Sequence, residues 1–149
     1  MKPDTIARLA QLDGIVAVKE ATGDLGRIPM IQNSTPEHFQ LLSGDDGTTC
    51  PFVLNGGDGV ISVTSNLLPN LMSEMVDCAN SGKPERAQAI HNQLSEIMDT
   101  LFIESNPIPI KTALELQGRF TAHMRLPLCE MAHENRATLA EVMKNGGWL

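Results

Sequence analysis

The first 67 residues alternate short apolar runs with segments rich in turn-forming residues. Three of the runs are predicted to be strands, at residues 14–19, 39–43 and 59–63. The segments between them, residues 27–34 and 48–55, are predicted to be helices. This order of strands and helices predicts parallel strands joined by right-handed crossovers. The first run is continuously apolar, and we expect it to be buried on both faces of the sheet.

The rest of the chain shows the three- and four-residue spacing of amphipathic helices. One helix is predicted to begin near Pro69, and a longer helix is predicted to begin at Pro84. A short helix over residues 110–117 and a last helix that ends at Gly146 follow. The apolar stripe of the longest helix consists of Ala87, Ile90, Leu94, Ile97, Met98 and Leu101.

These patterns divide the chain into two parts. Residues 1–67 hold the predicted strands and residues 68–149 are predicted to be helical, which makes the fold class α/β. A sheet of only three parallel strands leaves two unpaired edges and an apolar face that is only partly covered. We therefore expect the sheet to need more strands than the chain supplies.

Charge and composition exclude several classes of function. The 11 basic residues are outnumbered by 18 acidic residues, which gives a net charge of −7. A protein that binds the phosphate backbone needs a basic surface, so we expect no nucleic-acid partner. The chain has no apolar run of roughly 18 residues, so we expect no membrane span. The N-terminus lacks the apolar stretch of a signal peptide, which predicts a cytoplasmic location.

Lys19 is the strongest candidate for chemistry. It stands at the carboxyl end of the first predicted strand, the end at which parallel α/β folds bind ligands. Alternation places Ile15 and Ala17 on the same face, so the amine is expected to be partly desolvated and nucleophilic. Such an amine condenses with a ketone or aldehyde to form a Schiff base. The alternative is an ordinary lysine at a strand end, whose side chain extends into water.

Two further groups of residues allow both a structural and a chemical interpretation. Asp45 and Asp46 follow the second predicted strand, where one of them is expected to cap the next helix, although paired carboxylates also bind metals or transfer protons. His123, Cys129 and His133 have a spacing that fits no standard zinc site. We therefore expect no metal ion at these residues. The chain contains no tyrosine, which excludes a tyrosine proton donor from this chain.

Five segments carry a resemblance to a known family. Residues 14–23 read Gly-Ile-Val-Ala-Val-Lys-Glu-Ala-Thr-Gly, residues 41–46 read Leu-Leu-Ser-Gly-Asp-Asp, and residues 56–64 read Gly-Gly-Asp-Gly-Val-Ile-Ser-Val-Thr. Residues 104–111, Glu-Ser-Asn-Pro-Ile-Pro-Ile-Lys, and residues 126–128, Leu-Pro-Leu, extend the match. On these motifs the chain resembles the C-terminal part of the dihydrodipicolinate synthase family, within the N-acetylneuraminate lyase-like class I aldolases. The resemblance covers essentially the whole chain.

This resemblance implies a (β/α)8 TIM barrel followed by a C-terminal helical bundle, usually in a homotetramer. The three strands match the last three of that barrel. Lys19 matches the lysine that forms the Schiff base with pyruvate, and Gly44 and Ile61 match positions that line the pyruvate pocket. The family reaction is that of a lyase that condenses pyruvate with aspartate semialdehyde on the diaminopimelate route to lysine, without a cofactor.

The chain departs from the family in what it lacks. The resemblance implies five earlier strands, together with the threonines, tyrosines and arginine that bind substrate and transfer protons. We therefore expect the chain alone to be inactive. Three hypotheses remain, namely a truncated or separately described piece of a synthase, one subunit of a split enzyme whose other half is a separate chain, and a non-catalytic remnant or interaction module that keeps the helical bundle. The partner that we expect is the missing N-terminal half of the barrel or another copy of the chain.

Overall fold

Seven α-helices and three short strands make up the chain in the computed structural model, which describes all 149 residues. The strands are β1 (Ala17–Glu20), β2 (Gln40–Ser43) and β3 (Gly59–Val60). The helices that accompany the strands are α1 (Pro3–Leu9), α2 (Arg27–Gln32) and α3 (Thr49–Leu54). The helices that follow the strands are α4 (Pro69–Asn80), α5 (Pro84–Thr100), α6 (Ile108–Leu116) and α7 (His133–Asn145).

The sheet confirms the predicted parallel topology. Its strand order is β1-β2-β3, and both neighbouring pairs are parallel. Lys19 is paired with Leu42, and Ser43 is paired with Val60. Since each helix returns the chain to the same end of the sheet, the carboxyl ends of all three strands meet at one edge.

The two faces of the sheet differ sharply in exposure. On the covered face, Leu41 is 2% exposed, Ser43 is 1% exposed and Glu20 is 6% exposed. On the opposite face, which we call the open face, the side chains of Lys19 and Gln40 are exposed. The prediction of a first strand buried on both faces is therefore wrong for this chain, because β1 has only one neighbouring strand and Lys19 on its open face is exposed.

Strand β1 begins later and strand β3 ends earlier than predicted. The first begins at Ala17, and Val16, just outside it, is 61% exposed. The third ends at Val60 and is soon followed by a 3-10 helix over Thr64–Asn66. Both strands lie at an edge of the sheet and pair with a neighbouring strand along one side only.

Helix α1 is an element that the sequence analysis did not assign. Its signals are Pro3 in the first turn, Asp4 in the same turn, Arg8 in the last turn, and the buried Ile6. These are an acidic start and a basic end around a single buried residue, and only Ile6 and Ala10 are buried along this segment. A helix of this length shows less than two turns of periodicity, which is too little to stand out in a sequence.

The predicted helices of the C-terminal part are confirmed. All six residues of the predicted α5 stripe are at most 1% exposed. Helices α6 and α7 pack on each other, and the buried residues of α7 are Leu139, Val142 and Met143. No helix is both long and apolar enough to cross a membrane.

The chain forms two compact units. The first consists of residues 1–62 and 73–91, which include all three strands, and the second consists of residues 63–72 and 92–149. The sequence predicts a different division, between a barrel part at residues 1–67 and a helical part at residues 68–149. That division concerns a complete barrel, so it stays a prediction.

Candidate functional site

The three residues expected at the site all lie at or just after the carboxyl end of a strand. Lys19 is the third residue of β1, Gly44 comes directly after β2, and Ile61 comes directly after β3. The parallel register places these three positions at the same edge of the first compact unit. This edge is the one at which parallel α/β folds bind their ligands.

Lys19 and Gly44 lie against each other. A Cβ atom added to Gly44 would come within 2.6 Å of Cε and 2.9 Å of Cγ of Lys19, and within 2.7 Å of Cβ of Ala21. Glycine is thus required at residue 44 because the lysine stem occupies the space of a side chain. The Lys19 side chain itself is exposed, so the partial desolvation expected from the sequence is absent in this chain.

Ile61 extends the same edge beyond β3. Its backbone N–H donates a hydrogen bond to the carbonyl of Ser43, with an N–O distance of 2.8 Å. Its side chain is 50% exposed. The structure brings Ile61 to the edge that carries Lys19 and Gly44. Its contact with pyruvate stays a prediction.

Glu20 is a residue of this region that the sequence analysis missed. Its carboxylate accepts a hydrogen bond from Nε of Arg27 at 2.8 Å and another from the backbone N–H of Thr22 at 2.9 Å. Burial alone would raise the pKa of Glu20, but the hydrogen bonds from Thr22 and Arg27 and the guanidinium charge outweigh it and lower the pKa. The available signal was a glutamate beside the candidate lysine with an arginine seven residues later.

Asp45 confirms the structural interpretation of the acidic pair. Its side chain caps the 3-10 helix over Asp46–Thr48 and accepts hydrogen bonds from the N–H and the hydroxyl of Thr48, at 3.0 and 2.6 Å. Ser43 donates to the Asp45 carbonyl at 2.9 Å, which fixes the start of the loop. The Asp45 carboxylate therefore binds the backbone N–H and the hydroxyl of Thr48 in its own loop.

The expected absence of a metal site stays a prediction. No group of three or more His, Cys, Asp or Glu side chains is arranged to hold a metal ion. His123 uses its backbone carbonyl to accept a hydrogen bond from Nζ of Lys111, which is a structural contact of the second unit.

Lys19 presents a primary amine at this edge. Its amine is held by no ion pair, since Glu20, the carboxylate next to it in sequence, is bound to Arg27 on the covered face. The chain offers no tyrosine to relay protons. By itself, the site presents the primary amine of Lys19 beside two small residues, Gly44 and Ala21.

Comparisons with known proteins agree with this geometry. The sequence model of the dihydrodipicolinate synthetase family matches residues 1–146. The 4-hydroxy-tetrahydrodipicolinate synthase of Methylococcus capsulatus is 48% identical over 149 residues, which cover 100% of this chain and 51% of that protein. The synthase of Archaeoglobus fulgidus is 46% identical over 143 residues, which cover 96% of this chain and 50% of the relative.

Solved structures give the same result. The crystal structure of dihydrodipicolinate synthase from Aquifex aeolicus superposes with a TM-score of 0.95 at 42% identity, and the match covers 99% of this chain and 50% of that one. The synthase of Acinetobacter baumannii complexed with pyruvate has a TM-score of 0.95 at 37% identity, with coverage of 99% and 51%. The match to these barrel enzymes over half their length fits a partial barrel.

The chain spans about half the length of the relatives that it matches, and the half is the C-terminal one. The family model matches residues 1–146, and the superposed backbone covers 99% of the chain. The chain therefore belongs to the dihydrodipicolinate synthetase family.

Proposed function

We propose that this chain supplies the Schiff-base lysine of a pyruvate-dependent lyase of the dihydrodipicolinate synthase type. The observation that carries the proposal is the position of Lys19, whose stem lies over Gly44 at the carboxyl edge of the sheet. A related synthase of the same backbone was crystallised with pyruvate, which supports pyruvate as the first substrate. The second substrate is aspartate semialdehyde, and the reaction belongs to the diaminopimelate route to lysine.

The chemistry begins at the Lys19 amine. In its neutral form the amine attacks the keto carbon of pyruvate, water leaves, and a C=N bond replaces the C=O bond. The protonated imine withdraws electrons, so the methyl carbon loses a proton and becomes the nucleophilic carbon of an enamine. This carbon forms a C–C bond with the aldehyde carbon of the second substrate, whose oxygen takes up a proton. Attack of water or of the product amine on the imine carbon then frees Lys19.

The rest of the machinery has to come from elsewhere. This chain has three strands, and its open face and the free edge of β1 are what the remaining strands of a barrel would cover. We expect the complement to be a polypeptide with the family's first five strands, or less effectively another copy of the chain. We also expect the completed enzyme to be a homo-oligomer.

Reductive trapping tests the proposal. The chain is co-expressed with the half of the Methylococcus capsulatus synthase that it does not match, and the complex is treated with pyruvate and cyanoborohydride. Peptide mass spectrometry should find one reduced pyruvate adduct on Lys19. The matched control Lys19→Arg keeps the positive charge and should carry no adduct. An adduct on Lys2, Lys83 or Lys144 instead would contradict the assignment.

A coupled assay with two alternative substrates separates the related functions. Condensation of pyruvate with aspartate semialdehyde supports the synthase, whereas release of pyruvate from N-acetylneuraminate would favour the related lyase. A complex that assembles but yields neither adduct nor turnover would favour a non-catalytic remnant.

A further inference from the structure

The side chain next to the proposed nucleophile points the opposite way. Lys19 lies on the open face of β1 and Glu20 on the covered face, because successive strand residues alternate. Glu20 is 6% exposed, and its partner Arg27 has a side chain that is 16% exposed. The pair is thus a nearly buried ion pair on the face of β1 opposite the lysine.

This ion pair fixes the loop that leaves the strand. One carboxylate oxygen of Glu20 accepts from Thr22 N–H, and the other accepts from Nε of Arg27, the first residue of α2. Between these points, the Thr22 hydroxyl accepts from the N–H of Asp24, whose carboxylate accepts from the N–H of Gly26. The end of β1, the loop and the start of α2 are joined through one carboxylate.

The same residue also fixes the floor under the lysine. The backbone carbonyl of Glu20 accepts the N–H of Gly44 at 2.7 Å. Gly44 is the residue over which Cγ and Cε of Lys19 lie. A displacement of Glu20 would therefore move both the end of β1, which carries Lys19, and Gly44, over which the lysine stem lies.

The pair also balances a nearly buried charge. Alternation along β1 places Glu20 on the covered face, and Arg27 binds its carboxylate there with a charge-assisted hydrogen bond. The amine of Lys19 lies on the other face of the strand and makes no ion pair.

We propose that Glu20 and Arg27 are positioning residues that hold the Lys19 side chain over Gly44 for attack on pyruvate. The inference rests on the proposed function for its chemical consequence, whereas its geometric part concerns this chain alone. Neither residue touches the reacting atoms, so both act through the backbone of β1 and the loop after it.

Four variants test the inference in the co-expressed complex. Glu20→Ala removes both acceptors and should slow the trapping of Lys19 at saturating pyruvate by about tenfold to a hundredfold. Glu20→Gln keeps an oxygen acceptor with the same shape and should restore most of the rate. Glu74→Ala breaks the exposed Arg86–Glu74 pair of the same unit and should leave the rate unchanged. Ile31→Ala creates a cavity in α2 and should lower the melting temperature without slowing the trapping.

Amide hydrogen exchange supplies a measurement that does not depend on catalysis. In the 149-residue chain the exchange of the Gly44 N–H should accelerate in Glu20→Ala and Arg27→Ala but not in Glu74→Ala. Slower trapping together with faster Gly44 exchange supports the proposal. Trapping that is unchanged in Glu20→Ala, or slowed equally in Ile31→Ala, would overturn it. If the wild-type complex forms no adduct, the proposed function fails, and unchanged Gly44 exchange would then overturn the positioning role independently.

Discussion

The stem of Lys19 occupies the space that a side chain at Gly44 would need, with a hypothetical Cβ atom only 2.6 Å from Cε of the lysine. Lys19 belongs to β1 and Gly44 directly follows the neighbouring strand β2, so the contact joins the ends of the two strands. The end of β2 thereby dictates the conformation of the proposed nucleophile on β1, and this dependence can be tested at residue 44.

Gly44→Ala should disable the lysine without unfolding the chain. The added methyl group meets Cε and Cγ of Lys19, which can rotate away, and Cβ of Ala21, which cannot. Overpacking of this kind costs about 1–3 kcal/mol of stability. Because the lysine stem must leave its position, we expect the rate of Schiff-base trapping in the completed enzyme to fall by about tenfold or more.

Gly47→Ala is the matched control for this substitution. Gly47 lies in the same loop, and an added Cβ would meet only Oδ2 of Asp45 at an ordinary contact distance of 3.9 Å. Its trapping rate should equal that of the wild type. Equal rates in Gly44→Ala and Gly47→Ala would show that the glycine at residue 44 does not govern the lysine.

Acid should weaken the first unit through Glu20. The pKa of Glu20 in the folded chain lies below its ordinary value of 4.5, so the unfolded chain binds the proton first as the pH falls. The stabilisation is complete above about pH 4.5 and is lost as the pH falls through the folded pKa. Urea unfolding at a series of pH values, followed by the exchange of amides in β1 and β2, measures this loss.

Glu20→Gln removes the titrating group and provides the control. The glutamine still accepts a hydrogen bond, but the free energy of unfolding should lose part of its dependence on pH below about 4.5. Glu115 lies in the second unit, and a hydrogen bond from Arg136 lowers its pKa. Its contribution to the pH dependence should be the same in the wild type and in Glu20→Gln. An identical pH profile in wild type and Glu20→Gln would contradict the prediction.

The order of the strands was predictable because apolar runs and turn residues are local signals. The parallel sheet and the stripe of α5 follow from spacing alone, and both agree with the structure. The exposure of Val16 and of Lys19 was not predictable in the same way, since it depends on what is absent from beside β1 and above the open face. The apolar run at residues 14–19 predicts the burial that these residues would have in a complete barrel, where strands lie on both sides of β1.

The site was predictable only in part, for a related reason. Lys19 was predicted from its place at the end of an apolar strand and from a family motif, whereas Gly44 and Ile61 came from family motifs alone, and the structure brings all three to one edge of the sheet. The role of Glu20 depends on Arg27 and on the backbone of Thr22, which the chain brings together only by folding. An adjacent glutamate on a strand reads as an ordinary polar residue until its partners are known.

Chelation should not affect turnover of the completed enzyme. The protonated imine at Lys19 already withdraws the electrons that a metal ion would otherwise withdraw. Condensation measured after dialysis against EDTA should therefore proceed at the untreated rate. Loss of turnover that zinc or magnesium restores would show that the imine is not a sufficient electron sink.

The 149-residue chain alone should not catalyse condensation and should associate with itself. Val16 and Val18 direct their backbone groups towards β2, so the N–H and C=O groups of Ala17 and Lys19 face an edge that has no neighbouring strand. Unpaired edges of this kind recruit other strands. Light scattering should report particles larger than one chain, and a coupled assay should detect no product, since the chain has no tyrosine for proton transfer.

A charge beside the free edge should reduce this association. Val16 is 61% exposed next to that edge, so Val16→Lys adds a repulsive charge where a second strand would pair, without disturbing a buried contact. Met30 is 59% exposed and provides the matched control Met30→Lys, which adds the same charge on helix α2. We expect light scattering to shift towards the monomer in Val16→Lys but not in Met30→Lys. An equal shift in both variants would mean that net charge rather than the β1 edge controls association, and a monodisperse wild-type monomer that turns over substrate would refute the prediction altogether.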